Sequence, residues 1–421
     1  MNLLKILTKK DILSKLFFTV ATLTIFRAVA VVPIPGIPSE ALKDILAGSS
    51  FFQVLGLLSG GLLESVGILT IGLGPYINAS YIFQLLSVAI PQIREMYQGG
   101  PVERKTLTMY TRLLSVPLAV VQSIVIYTLL KQFGLLGETQ DTLQIVSTVM
   151  LLTFGAVFSM WLGELVTEFG LGGGSSVIIL AGILVSIPRN LESNFLSLTD
   201  DWKKVVLVMV IIGLVLLAVV ISSSFNKIKL IYARRVRPSG NQGYANFLPL
   251  NINPAGVMPV IFAISLLDVP RIAFSYVTQN VQNESLQLFA AQVVNLYNYQ
   301  FGYDMILMLV TVIFTFISAF IIFRPNEVAE NVNKQGAYIE GVRPGKETEK
   351  YLRKVLVYTT IFGAILLGVI TLAPSLIVLG LELPRLVVTG TGALIVASVI
   401  LDVIRQVQAL YAAKQDHVDY Y

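Results

Sequence analysis

The sequence predicts an all-α membrane protein of ten transmembrane helices. Three observations carry that expectation. Only 13% of the 421 residues are charged and 55% are hydrophobic, whereas a soluble chain carries about a quarter charged residues. Apolar segments close to the ~20 residues that cross a bilayer recur along the chain. Basic residues crowd into alternate connections between those segments.

The first segment, Leu16–Ile34, follows MNLLKILTKKDILSK. It is as long as a bilayer core demands, and VVPIPGIP stands where a cleavable leader needs small residues. It is therefore expected to be a span and not a secretory signal. Residues 51–80, FFQVLGLLSGGLLESVGILTIGLGPYINAS, are apolar but interrupted by a Gly-Gly pair, Glu64 and a Gly-Leu-Gly-Pro step. Such a segment suits entry into the bilayer without crossing it. Long spans are expected at Leu113–Leu130, Ile145–Leu162, Val205–Ile221, Met305–Phe323, Val355–Leu372 and Val387–Ile404. Shorter or broken ones lie at Gly72–Ile90, Ser175–Ile187 and Ala255–Leu267, bringing the count to ten.

Charge sets the direction. With a cytoplasmic N-terminus, the inside segments are the N-terminal tail, 91–112, the short turn after Trp161, 223–252, 324–354 and the C-terminal tail. They hold about 22 of the 30 Lys and Arg residues, the bias expected of cytoplasmic loops. KIKLIYARRVR (227–237) carries five basic residues and no acid, while GETQD (137–141) and LESNFLSLTDD (191–201) lean acidic. Both termini are expected inside.

Ten spans divide five and five, and the second five start in the opposite orientation, the arrangement of an inverted repeat. The halves share no evident sequence similarity. The second span of each half is the irregular one, preceded by GLGP in the first and NINPAGVMP in the second. Paired broken helices mark the working part of many transporters, although ordinary proline kinks also fit. Freed backbone groups there must face protein or water.

Several chemistries are excluded. The chain has no cysteine, and its one histidine is His417 in the C-terminal tail. Thiolate and most zinc chemistry, and most imidazole proton transfer, are thereby removed. Arg27, Glu164, Glu168 and Asp402 read as interfacial or helix-packing charges. No row of intramembrane carboxylates offers a proton relay. GLGGGSS (170–176) lacks the Lys and strand of a phosphate loop and is expected to be a flexible turn. No catalytic, cofactor or metal site is expected. The broken spans present Ile77, Ile179 and Ile261 at their centres. Branched apolar side chains coordinate no ion but suit a constriction that resists water.

The motifs VVPIPGI (31–37), GPYINASYIFQLL (74–86), MWLGELVTEFGLGGG (160–174), LPLNINPAGVMPVIFA (248–263), FRPNEVAENVNKQGAYIEGVRPG (323–345) and GTGALIVASVILDVIRQVQAL (390–410) together resemble the SecY family of bacterial protein-secretion channels. The resemblance implies a half at 1–202 and a half at 203–421, opening like a clamshell around an hourglass pore. Residues at about 52–66 match the plug, a re-entrant helix that seals the resting pore, with Leu55, Leu57, Leu58, Gly60 and Gly61 in it. The pore ring maps onto Ile77, Tyr81, Ile179, Ile261 and Ile395, Tyr81 departing from the usual aliphatic residue. The lateral gate maps onto Gln122 and Asn253, followed by an unusual Pro254.

Docking loops for the ribosome and the SecA motor fall at about 223–252, with Arg234, Arg235 and Arg237, and at about 324–354, with Arg343. Clustered Arg gains affinity for ribosomal RNA by releasing counterions. Lys227 and Lys229 read as orientation charges instead. The implied partners are SecE, SecG, SecA, the ribosome, unfolded preproteins with their signal peptides, and lipid. The implied location is a bacterial plasma membrane. A secondary transporter of small solutes is the alternative that broken spans allow, but it should show mid-membrane ion ligands. An intramembrane enzyme would need a histidine partner or a buried aspartate pair.

Overall fold

A computed structural model describes residues 10–35, 67–132, 142–197, 200–232, 247–254, 256–281, 283–298, 300–381 and 390–418. The plug positions Leu55, Leu57, Leu58, Gly60 and Gly61 and the loop residues Arg234, Arg235 and Arg237 lie outside the described residues.

Helix α1 (Lys10–Ala30) is followed by α2 (Gly74–Ala89), α3 (Pro91–Gln98), α4 (Pro101–Gln132), α5 (Thr142–Phe169), α6 (Gly174–Ser197) and α7 (Asp201–Ser223). Strands β1 (Phe225–Tyr232) and β2 (Phe247–Asn251) precede α8 (Met258–Asn280), α9 (Glu284–Asn298), α10 (Gln300–Ile322) and α11 (Pro325–Lys334). Strand β3 (Ala337–Ile339), α12 (Lys346–Leu381) and α13 (Gly390–Val418) complete the chain. Among the described residues seven helices are long and apolar enough to cross a membrane, and they fall on the seven long segments of the sequence. The three shorter segments also carry helices, in α2, α6 and α8.

The chain divides into two compact units. One comprises 1–197, 264–302 and 399–421, the other 198–263 and 303–398. In the first, α5 packs against α1, α2, α4 and α6. Helix α3 folds back beneath α2: Arg94 donates from Nε to the Ser87 carbonyl (3.1 Å) and from Nη2 to that of Val88 (2.6 Å). A cation there satisfies the open carbonyls of the α2 C-terminus. Burial, with Tyr76 close by, pushes the Tyr97 phenol in α3 up to about 12.

Three features depart from the expectation. Helix α1 stops at Ala30, four residues short, because residues before Pro33 are steered out of the α region. Val32 instead accepts the Ile68 N–H at 3.1 Å, and Pro33 bridges Gly67. The fold is also not purely helical. In the second unit β1 pairs antiparallel with both β2 and β3, in the order β2-β1-β3. Segments 223–252 and 324–354 therefore share one sheet. Its core is Ile228, Leu230, Leu250, Ala329, Val332, Ala337, Ile339, Leu352 and Leu356, with Ala319 beneath. The period-two alternation of FNKIKLIY puts Ile228 and Leu230 inside and the lysines outside.

The third departure is the turn at 170–174, which is built rather than loose. The Leu171 N–H donates to Thr19 Oγ1 (2.9 Å), that of Gly172 to Gln406 Oε1, and that of Gly174 to Thr167 Oγ1 (2.9 Å). A Cβ at Gly174 would overlap the Gly163 backbone, and Gly172 has φ +88°. Leu171 is buried with Ile12 and Val407. Each of these three N–H groups is taken by a side chain of the protein itself, so none is left for a phosphate.

Candidate functional site

At the irregular entrances to α2 and α8, backbone leaves the helical ladder among buried apolar side chains. In the first unit the chain between Gly67 and Leu73 is a series of turns, with Thr70 N–H to Gly67 O at 3.1 Å and Gly72 N–H to Leu69 O at 2.8 Å. Thr70 adds an Oγ1 donation to the same Gly67 carbonyl at 2.6 Å. Leu69, Ile71 and Leu73 are fully buried. Gly72 takes φ +55°, a conformation only glycine adopts freely. Pro75 then opens α2, where its missing N–H costs nothing.

This turn is seated on α5. A Cβ at Gly155 would overlap the Ile68 carbonyl, so the bare glycine lets backbone meet backbone. In the second unit the carbonyl of Ile252 stands on α12 in the same way. A Cβ at Gly363 would lie 2.7 Å from the Ile252 oxygen and 3.6 Å from the Asn253 Cα. The Ile252 N–H donates to Ser224 O at 3.1 Å, extending the register of β1 and β2. Asn253 is buried; its Nδ2 donates to Gly256 O at 2.6 Å, and its Oδ1 has no partner among the described residues. Gly256, at φ +63°, turns the chain into α8.

The residues expected at the constriction are all buried. Ile77 (6% exposed) and Tyr81 (7%) share one face of α2 at i, i+4 spacing. Ile179 lies in the second turn of α6 among Val177, Ile178 and Ile183. These three belong to the first unit; Ile261, near the start of α8, and Ile395, in α13, are buried in the second. Gln122, half-buried on α4, sets its Oε1 3.5 Å from where a Gly74 Cβ would stand, against the first residue of α2. It lies in the first unit and Asn253 in the second.

Of the charged candidates, Glu164 accepts from Arg112 Nε of α4 at 2.5 Å and is a helix-pairing charge. Asp402 faces Arg405 one turn on, at 3.7 Å. Arg343 is exposed in the loop between β3 and α12, where Thr348 Oγ1 donates to its carbonyl at 2.9 Å. Sequence reasoning did not single out Gly155, Gly363, Thr19 or Gln406. An isolated glycine within a helical pattern is the signal for the first two. The polar pair has no local signal, since Thr19 and Gln406 meet the turn from 152 and 234 residues away.

These features define a multi-pass helical membrane protein with two apolar helices, α2 and α8, whose irregular entrances are seated on helix glycines, and a set of buried apolar side chains. A sequence model described as SecY matches residues 67–404. The protein translocase subunit SecY of Staphylococcus aureus is 33% identical over 419 residues, and that of Staphylococcus carnosus 34% over 421, each covering 96% of both chains. The chain belongs to the SecY family. Its fold is similar to that of a solved protein-conducting channel (TM-score 0.67, 17% identity, 97% of each chain). It is also similar to Sec61 in a canine ribosome–channel complex (TM-score 0.62, 16% identity, 97% of each chain). Nothing in these comparisons supports the small-solute transporter.

Proposed function

We propose that this chain is the channel subunit of a bacterial protein translocase, passing unfolded signal-bearing polypeptides across the plasma membrane and releasing apolar segments sideways into lipid. The observation that carries the reading is membership of the SecY family over residues 67–404. The burial of Ile77, Tyr81, Ile179, Ile261 and Ile395 supports it. In this reading those five side chains form the pore ring: bulky and ligand-free, they part for a polypeptide and hold back water. Ten spans form two inverted halves, 1–202 and 203–421, with both termini cytoplasmic. Residues 52–66 are the plug.

Gln122 and Asn253 belong to the lateral gate. A polar contact in a membrane is worth about 1 kcal/mol, so an apolar signal helix can displace it. The Asn253 Oδ1, buried without a partner among the described residues, supports this role. Arg234, Arg235 and Arg343 serve docking of the ribosome and the SecA motor, and SecE and SecG complete the complex. The bound motor or ribosome provides the drive, and the chain itself performs no catalysis.

A polypeptide stalled midway and carrying a photocrosslinker tests the path. It is expected to crosslink to Ile77, Ile179, Ile261 and Ile395. Crosslinks confined to exposed positions such as Leu309 and Ile313 would overturn it. Deletion of residues 55–65 is expected to raise the ion conductance of the resting channel; an unchanged, ion-tight membrane removes the plug assignment.

A further inference from the structure

Helix α9 serves neither a span nor the expected pore, gate or docking loops. Its 15 residues reach about 22 Å, short of the ~30 Å hydrocarbon core. It is nevertheless tied closely to its neighbours. Residues 281–283 separate it from α8, and a single residue separates it from α10, a membrane-spanning helix.

Its fold-back is specified by side chains. Asn283 Oδ1 accepts the Ser285 N–H at 3.1 Å and starts the helix. Gln287 Nε2 donates to the Thr278 carbonyl near the end of α8 at 2.9 Å, and Phe289 meets Phe274 edge-on at 5.8 Å. Ala290 and Tyr297 are buried against the protein.

A second apolar stripe is left uncovered. Leu286, Phe289, Val293 and Leu296 follow i, i+3, i+7, i+10, the spacing of one helix face. Leu286, Phe289 and Leu296 are 52%, 56% and 48% exposed. Exposed Gln292 borders the stripe one turn from Phe289 and Leu296, and exposed Asn295 lies around the helix from it, with Leu288 beside Asn295. Chain continuity decides what covers the stripe. One residue beyond α9 the chain enters α10, whose outward side chains Met305, Leu309 and Ile313 follow within a few turns. The end of α9 is thus held at the level where the polypeptide passes from water into hydrocarbon. An amphipathic helix at that level buries its apolar face among headgroups and upper acyl chains.

We propose that α9 is an interfacial helix that lies along the bilayer surface and sinks the Leu286, Phe289 and Leu296 stripe into lipid. The assignment rests on α10 being a span and is independent of the channel reading. The natural absence of cysteine makes it directly testable. Leu286→Cys, Phe289→Cys, Leu296→Cys and Asn295→Cys are spin-labelled one at a time in the full chain, with Leu309→Cys of α10 as reference. The protein is reconstituted into phosphatidylethanolamine–phosphatidylglycerol vesicles, and collision rates with oxygen and with a water-soluble nickel chelate are compared.

The three stripe positions are expected to favour oxygen several-fold, Asn295 to favour nickel, and Leu309 to favour oxygen throughout. The proposal is overturned if the stripe favours nickel, which places it in water. It is equally overturned if both reagents are excluded, which places a second copy or another protein over it, or if Asn295 matches the stripe, which submerges the whole helix. Nickel access at Leu309 would instead remove the membrane-spanning reading of α10. Three separate stripe positions keep the test open if one variant fails to accumulate.

Discussion

The entrances to α2 and α8 solve the same problem with different chemistry. Both bring non-helical backbone into the apolar interior, and both seat an isoleucine carbonyl on a glycine: Ile68 on Gly155 of α5, Ile252 on Gly363 of α12. The first entrance is sealed by fully buried Leu69, Ile71 and Leu73, with its backbone groups turned onto one another. The second uses a polar side chain, Asn253, whose Nδ2 donates to the Gly256 carbonyl and whose Oδ1 has no partner among the described residues. An apolar seat resists displacement through the whole of its buried area, whereas a polar hinge with an open acceptor gives way to any donor that offers itself. The second entrance is therefore expected to move more readily than the first.

Gly155→Ala should do the most damage. Its Cβ overlaps a backbone oxygen that is fixed on both sides, and overpacking of this kind costs about 3 kcal/mol. A marked fall in the thermal midpoint of the purified protein is expected; an unchanged midpoint would mean that the Ile68 seat is soft. Gly363→Ala meets the Ile252 oxygen at 2.7 Å, a lesser conflict, and about 2 kcal/mol is expected in the same assay. Equal losses for the two alanines would erase the contrast between the entrances.

Asn253→Leu removes one hydrogen bond and also the buried unpaired oxygen. The two effects offset, and a loss of about 1 kcal/mol is expected. Faster amide exchange at Gly256 and Val257 is the discriminating signal. Thr70→Val is the smallest change. The Gly67 carbonyl keeps its bond from the Thr70 N–H, so about 0.5 kcal/mol is expected and exchange at Leu69 should hold.

How much of this was legible beforehand depended on the range of the interaction. The long spans were visible because lipid imposes one composition on about 20 consecutive residues. The paired irregular segments were visible because Gly and Pro punctuate locally. The turn at Gly170–Gly174 read as flexible because its rigidity comes from Thr19 and Gln406, far away in sequence. The sheet was missed although FNKIKLIY alternates correctly. Lys227 and Lys229, which read as orientation charges, line the outer face of β1, and the charge signal masked the period. Helix α9 was absorbed into a connection, since neither its length nor its hydropathy rises to that of a span. At the candidate site, family motifs led to buried side chains in each unit, but the glycines beneath the two entrances carry no chemistry and drew no notice.

The shared strand has a mechanical consequence. Since β1 is bonded to β2 on one edge and β3 on the other, the two basic loops are not independent handles. A load applied at either one is transmitted across the ladder and reaches α7 and α12 together, both rooted in the same small sheet. In the proposed docking role, traction at Arg343 would pull on the chain leading to Asn253 as well.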